Sequence, residues 1–128
     1  MEKADWHLEE GKGRTKIYLT AWRAGDDLVV YLYNKNIHLG AVAVGEYDHE
    51  AGRAYSSVIT LRGHRDDEVA KKQAHIIATH TRKSVCVIAG IHLDNITEEE
   101  IAEILRNCDA VVQNFTCKSQ SIVSREEK

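Results

Sequence analysis

The sequence contains no proline and only three cysteines among its 128 residues. Without proline, every backbone N–H is available to donate a hydrogen bond within a sheet or a helix. The cysteines, Cys86, Cys108 and Cys117, are an odd number, and their spacings fit neither a disulfide framework nor a CxxC motif for metal or redox chemistry. Because a chain of this length buries one core with little room for a second, we expect a single domain with reduced thiols.

Long apolar runs and dense basic stripes are also missing. No run approaches the roughly 18 to 20 apolar residues of a membrane helix, and residues 1–10 are polar where a signal peptide has its apolar core. The formal net charge is -3, and lysine and arginine form no stripe with interleaved aromatics, the pattern typical of nucleic-acid binders. We therefore expect a cytoplasmic protein that binds neither nucleic acid nor membrane.

The hydrophobic pattern changes its period halfway along the chain. The first half alternates as strands do, and short turns between the strands favour an antiparallel meander. The second half has helical spacing on both sides of one short apolar strand, and Thr97 with Glu100 forms a capping box at the second helix. The predicted strands are 14–23, 28–33, 37–44, 54–61 and 84–90, and the predicted helices are 66–81 and 97–114. This order, β-β-β-β-α-β-α, predicts an α+β fold in which two helices pack on a mostly antiparallel sheet.

The two ends of the chain carry weaker patterns. We interpret residues 1–13 as a flexible N-terminal arm in which Trp6 alone packs against the domain. Residues 14–115 then form the single α/β domain. Residues 116–128 have only Ile122 and Val123 as apolar anchors, which predicts a C-terminal edge strand or a tail.

Two loops that join a strand to a helix contain the chemically suggestive residues. The loop at 63–66 follows the fourth predicted strand, and the loop at 90–95 follows the fifth. If these two strands run parallel in one sheet, both loops lie at the same edge, where helix amino termini offer free N–H groups to anions. The arrangement favours a ligand that carries a phosphate or a carboxylate.

Several side chains in these loops suit ligand binding, although each also has a structural interpretation. His64, His92 and Asp94 suit metal ligation or a proton-transfer pair, because histidine titrates near neutral pH and a carboxylate fixes its tautomer. Arg65 suits a phosphate clamp, or else a solvated ion partner for the acids at 66–68. The structural alternative makes His64 a residue that caps a helix and His92 a polar residue at a strand end. No nucleophile with a base partner can be assembled, so covalent catalysis is not expected.

Three stretches together resemble the prenylated flavin chaperone-like (LpdD-like) family. They are HLGAVAV at 38–44, GHRDD at 63–67 and AGIHLDNIT at 89–97. That family includes the small D subunit associated with gallate decarboxylase. The resemblance covers roughly residues 16–112, and it implies a fold similar to that of the eukaryotic proteasome assembly chaperones, which work as dimers.

The resemblance implies a helper of UbiD-like decarboxylases, which use prenylated FMN made by a partner flavin prenyltransferase. We therefore expect a non-enzymatic cofactor chaperone or accessory subunit, a homodimer that works with the large decarboxylase subunit. From their motif positions, we expect prenylated FMN or FMN to be bound by His64, Arg65, His92, Asp94 and Asn95. Two alternatives remain open: an assembly chaperone that acts through a dimer surface without a small ligand, and a small metal-dependent enzyme that uses His64 and His92.

Overall fold

A computed structural model describes residues 3–61 and 66–126, with residues 120–126 described by their backbone alone. It contains six strands, two α-helices and a short 3-10 helix. The strands are β1 (Trp6–Glu10), β2 (Ile17–Ala24), β3 (Asp27–Tyr33), β4 (Ala41–Asp48), β5 (Arg53–Thr60) and β6 (Val85–Gly90). The helices are α1 (Asp67–Thr81), α2 (Glu98–Glu126) and the 3-10 turn η1 (Gly13–Thr15).

The strands form one sheet in the order β1-β2-β3-β6-β4-β5. All neighbouring strands are antiparallel except β3 and β6, which run parallel. This confirms the α+β class with a mostly antiparallel sheet, but the predicted meander is wrong at one place, because β6 lies between β3 and β4. The sequence VCVIAG of β6 has no charged side chain, so this strand buries its apolar surface best at the centre of the sheet.

Both helices pack on the same face of the sheet and enclose the core there. α2 lies against β1 and β2, whereas α1 lies against β4, β5 and β6. Small residues on β4 let α1 come close: a Cβ at Gly45 would collide with the carbonyl oxygen of Ala74 in α1. The largest fully buried side chains of the core are Phe115, Ile17, Leu19, Leu32 and Ile77.

The two ends of the chain differ from the sequence prediction. The expected arm contributes β1, which pairs with β2 from Trp6 opposite Ala21 to Glu10 opposite Ile17. The Trp6 ring packs edge to face on Phe115, with ring centroids 5.4 Å apart. At the other end, the expected edge strand or tail is a continuation of α2 to Glu126.

Two polar side chains near the C-terminus of α2 are buried and form local hydrogen bonds. The Thr116 hydroxyl donates to the carbonyl oxygen of Gln113 at 2.9 Å, and the Ser119 hydroxyl donates to that of Thr116 at 3.1 Å. Both side chains are thereby buried with their hydrogen bonds satisfied inside the helix.

None of the helices in the ranges 3–61 and 66–126 has the length and apolar composition needed to span a membrane.

Candidate functional site

Three strands end at the same end of the sheet. Tyr33 of β3 lies opposite Gly90 of β6, while Ala89 of β6 and Thr60 of β5 both lie opposite Ala41, the first residue of β4. β5 and β6 therefore point in the same direction although β4 separates them. This confirms that the chain leaves both strands at one edge. The described residues just beyond these strand ends form the candidate site.

The backbone of His92 is fixed by two asparagines that follow β3. The amide of Asn34, which is 1% exposed, donates from Nδ2 to the His92 carbonyl at 2.8 Å and accepts at Oδ1 from the His92 N–H at 3.2 Å. Asn36 donates to the same carbonyl at 3.0 Å. The imidazole itself is half exposed, and its Nε2 lies 3.0 Å from Oδ1 of Asp94. The loop thus holds a solvent-accessible imidazole beside a carboxylate.

A second histidine and carboxylate lie next to this pair. The rings of His38 and His92 meet edge to face, with centroids 5.9 Å apart. His38 Nε2 is 3.6 Å from Oδ2 of Asp66, which lies just before α1 and is buried. The Tyr31 hydroxyl donates to the His38 carbonyl at 2.6 Å, and burial, together with Tyr33 and Asp66, raises the pKa of Tyr31. Two imidazole–carboxylate pairs therefore share one end of the sheet.

Two glycines allow this close approach. A Cβ at Gly90 would collide with the carbonyl oxygen of His38, and a Cβ at Gly40 would collide with the carboxylate of Asp66. Gly40, within the third predicted strand, therefore leaves room for the side chain of Asp66. Gly90, the last residue of β6, leaves room for the backbone of His38.

The loop that contains Asp94 is tied to the rest of the fold by Arg14. Arg14 donates from its guanidinium to Oε2 of Glu100 at 2.7 Å and to the Asp94 carbonyl at 2.8 Å. Thr97 and Glu100 form the predicted capping box, with reciprocal hydrogen bonds of 3.1 Å. Arg14 and these hydrogen bonds from Thr97 hold the pKa of Glu100 below its ordinary value. Asn95 is a turn residue with a φ of 52°, a conformation that asparagine tolerates better than most residues.

A groove of about 690 Å³ lies between α1, the loop after β6 and the start of α2. Its wall is aliphatic at seven residues and polar or charged at six others, which are Asp66, Glu68, Lys72, Gln73, His92 and Asp109. Its volume falls within the roughly 300–1,000 Å³ of small-molecule sites, which are also mainly apolar with a few polar groups. The aliphatic lining residues are Val69, Ile91, Leu93, Ile96, Ile101, Ile104 and Leu105.

Gln73 supplies a buried hydrogen-bond acceptor in the same wall. Its Nε2 donates to Asp109 at 2.8 Å, and because a carboxylate only accepts, the amide oxygen must face the other way. That oxygen is buried and has no hydrogen-bond partner among residues 3–61 and 66–126. A buried acceptor without a partner is costly, and a donor that reaches it would remove this cost.

The amino termini of the helices differ from the anion site that the sequence suggested. The first turn of α1 contains Asp67 and Glu68, and the first turn of α2 contains Glu98, Glu99 and Glu100. These acids already complement the helix dipoles. A phosphate at either terminus would meet like charge, so the anion expectation is not supported at these two positions.

The structure describes only some of the site residues that the sequence predicts. His92 and Asp94 meet directly, whereas His64 and Arg65 lie outside the described residues. Within the described part of the chain, no three His, Cys, Asp or Glu side chains are arranged to hold a metal ion. Sequence reasoning missed His38, Asp66, Asn34 and Gln73, whose roles come from contacts between distant segments; only Gly40 near His38 signalled a close approach.

Comparison with known proteins identifies the family of this chain. Residues 11–120 match the sequence model of the family described as the prenylated flavin chaperone LpdD-like domain. The chain belongs to this family. The LpdD-like domain includes all of the candidate site, from Arg14 to the groove between the two helices. No curated protein matches the chain significantly.

The LpdD-like domain is also similar in fold to a chain of a solved chaperone complex. The crystal structure of a chaperone complex for yeast 20S proteasome assembly contains a chain that superposes with a TM-score of 0.54 at 14% sequence identity. The match covers 85% of this chain and 95% of the other. At this identity the likeness shows the fold alone, and it confirms the proteasome-assembly-chaperone-like architecture expected from the sequence.

Proposed function

We propose that this LpdD-like protein is a non-catalytic chaperone that holds prenylated FMN, or FMN itself, for a UbiD-like decarboxylase in the cytoplasm. Family membership supports the prenylated flavin. The observation that carries the proposal is the aliphatic groove with the buried acceptor of Gln73 in its wall. A mainly aliphatic groove with several polar lining residues suits a flat, alkylated ring system that carries an N–H donor.

The residues fit the ring portion of such a cofactor better than its phosphate. Ile91, Ile101 and Leu105 offer apolar contact. A small movement of the buried Gln73 side chain would let its amide oxygen accept a hydrogen bond from a ring N–H. His92 and Asp94 at the end of the sheet would contact polar atoms of the ligand. The acids at the helix amino termini disfavour the phosphate there, so it should point away from both helix starts. The involvement of His64, Arg65 and Asn95 stays a prediction from the sequence.

Cys86 and Cys108 are poor nucleophiles in this fold. Burial raises the pKa of Cys86, and burial beside Asp109 raises the pKa of Cys108 to about 12. Both thiols are therefore protonated at neutral pH, whereas the thiolate is the nucleophilic form. The chemistry of the bound flavin belongs to the decarboxylase, and this chain binds and protects the cofactor before transfer.

Cofactor titration tests the proposal directly. We expect the purified protein to bind prenylated FMN, measured by the change in flavin absorbance and by co-elution on gel filtration. His92→Ala and Leu105→Glu should weaken binding about tenfold or more, which corresponds to about 1.4 kcal/mol. His75→Ala is the matched control, because His75 is an exposed histidine on α1 outside the groove. Absence of binding by the parent protein to both prenylated FMN and FMN would overturn the proposal.

A second candidate function is assembly of a protein partner without a small ligand. Exposed apolar side chains around the candidate site favour it: Ile37 is 57% exposed, Leu39 is 48% exposed and Leu61 is 41% exposed. Such residues mark protein interaction surfaces. Co-purification of a large decarboxylase subunit with a flavin-free parent protein, lost in Leu39→Glu, would favour this function over cofactor binding.

A further inference from the structure

The charged residues in the wall of the groove are mainly acidic. Asp66, Glu68 and Asp109 contribute carboxylates, whereas Lys72 contributes the one ammonium among the described lining residues. The Lys72 ammonium is already paired, because its Nζ lies 3.1 Å from Oδ1 and 3.2 Å from Oδ2 of Asp109. The groove therefore presents an excess of negative charge to a ligand.

Gln73 adds a hydrogen bond of fixed direction to the same wall. Its Nε2 donates to Oδ1 of Asp109 on α2 at 2.8 Å. An amide flip is disfavoured, because it would turn the amide oxygen toward a carboxylate that can only accept. The oxygen has no hydrogen-bond partner in the described part of the chain, although the side chain is only 1% exposed. Gln73 can therefore offer a ligand an acceptor but not a donor.

We infer that the groove selects an uncharged or cationic ring that carries an N–H donor, and that the phosphate of a flavin adds no affinity. Because this preference rests on the flavin binding proposed above, it names Gln73 as the residue that determines specificity within that site. A ring N–H that reaches the amide oxygen satisfies a buried acceptor. A ring without this donor leaves the acceptor unpaired, and an anion meets the carboxylates of the wall.

Both helices supply the apolar contacts of the ring. Ile101 and Leu105 are one helical turn apart on α2, and Val69 lies one turn before Gln73 on α1. The edge of the ring that carries the N–H must therefore turn toward α1 to meet Gln73. The phosphate, at the end of the ribityl chain, then finds no unpaired cation among the described lining residues.

Comparison of FMN with riboflavin tests the charge preference. Riboflavin has the same ring but lacks the phosphate, so we expect the parent protein to bind it at least as tightly as FMN. Flavin fluorescence at low ionic strength measures both affinities where charge repulsion is least screened. Glu68→Lys should make FMN bind about threefold or more tightly than riboflavin. Glu50→Lys is the matched control, because it makes the same charge change at an exposed turn outside the groove and should leave the ratio unchanged.

Riboflavin methylated at its ring N–H tests the role of Gln73. We expect the parent to bind this analogue about tenfold more weakly than riboflavin. Gln73→Met has no acceptor and should bind the two ligands within about threefold of each other. If circular dichroism shows that Gln73→Met is unfolded, Asp109→Asn replaces it. An asparagine at that position can donate as well as accept, so the Gln73 amide is free to flip and the discrimination should fall equally.

Two results would overturn the preference while flavin binding itself stands. The first is a parent protein that binds FMN about fivefold or more tightly than riboflavin. The second is discrimination against the methylated analogue that is as strong in the variant at position 73 or 109 as in the parent. Binding of neither riboflavin nor FMN would instead remove the proposed function together with this preference.

Discussion

The side chain of Asn34 and the backbone of His92 exchange two hydrogen bonds across 58 positions of sequence. Asn34 follows β3 and His92 follows β6, so these bonds join the ends of two parallel neighbouring strands. The amide is buried, where it is shielded from competing water. The position of the candidate imidazole therefore depends on a residue that never touches the groove.

Replacement of Asn34 should be costly for both stability and binding. We expect Asn34→Leu to lower the free energy of unfolding by about 2–4 kcal/mol, because it removes two hydrogen bonds of a buried amide and leaves the His92 N–H without its acceptor. Urea unfolding measures this loss. The control is Asn36→Ala, which removes one exposed hydrogen bond to the same carbonyl and should cost less than about 1 kcal/mol. Equal costs for the two variants would contradict this role of Asn34.

A methyl group at position 90 should disturb the His38 segment. In Gly90→Ala the new Cβ would lie 2.6 Å from the His38 carbonyl carbon, so backbone must move. We expect a loss of about 1–3 kcal/mol in unfolding free energy, together with amide chemical-shift changes around position 38. Thr60→Ala, an exposed substitution at the same end of the sheet, should have almost no effect. An unchanged His38 amide signal in Gly90→Ala would argue against the close contact.

The bond between Arg14 and Glu100 should make stability depend on pH. The folded pKa of Glu100 lies below its ordinary value of 4.5, so its contribution is complete above that pH and disappears as pH falls through the folded pKa. Arg14→Gln should therefore lower the melting temperature at pH 7, with the difference from the parent shrinking below pH 4.5. Arg106→Gln, an exposed substitution on α2, provides the comparison. A difference that is constant from pH 3 to pH 7 would exclude this linkage.

The packing of β1 on α2 can be tested through its tryptophan. We expect Trp6→Ala to cost about 1–3 kcal/mol, because it removes the edge-to-face contact with Phe115 and opens the partly buried end of the core. His7→Ala removes the neighbouring exposed side chain with its hydrogen bond to Thr20 and should cost less than about 1 kcal/mol. If both variants unfold at the same urea concentration, the N-terminal segment does not stabilise the domain.

Local patterns were sufficient for most elements of the fold. The alternation in β2, β3, β4 and β5, the spacing in α1 and the capping box of α2 all depend on residues close in sequence. β1 was missed because WHLEE is short and carries two glutamates, and its stability comes from pairing with β2 and from Phe115. The position of β6 was missed because no local pattern specifies which strands become neighbours.

The candidate site was harder to predict for the same reason. His92 and Asp94 are two positions apart, so their contact is local and the sequence indicated it. His38 meets His92, and Asp66 meets His38, only after β6 has entered the sheet beside β4. Gln73 could not be singled out from the sequence. Only the fold shows that the carboxylate of Asp109 fixes the orientation of its amide.

The central position of β6 also determines when the domain can fold. A nascent chain that ends before Val85 contains the ribbon β1-β2-β3 and the hairpin β4-β5, but lacks the strand that joins them. Each half exposes an unpaired inner edge until β6 leaves the ribosome, and such edges invite association with other chains. Assembly of the sheet is therefore a late event dominated by pairings between distant segments, which are slow to form.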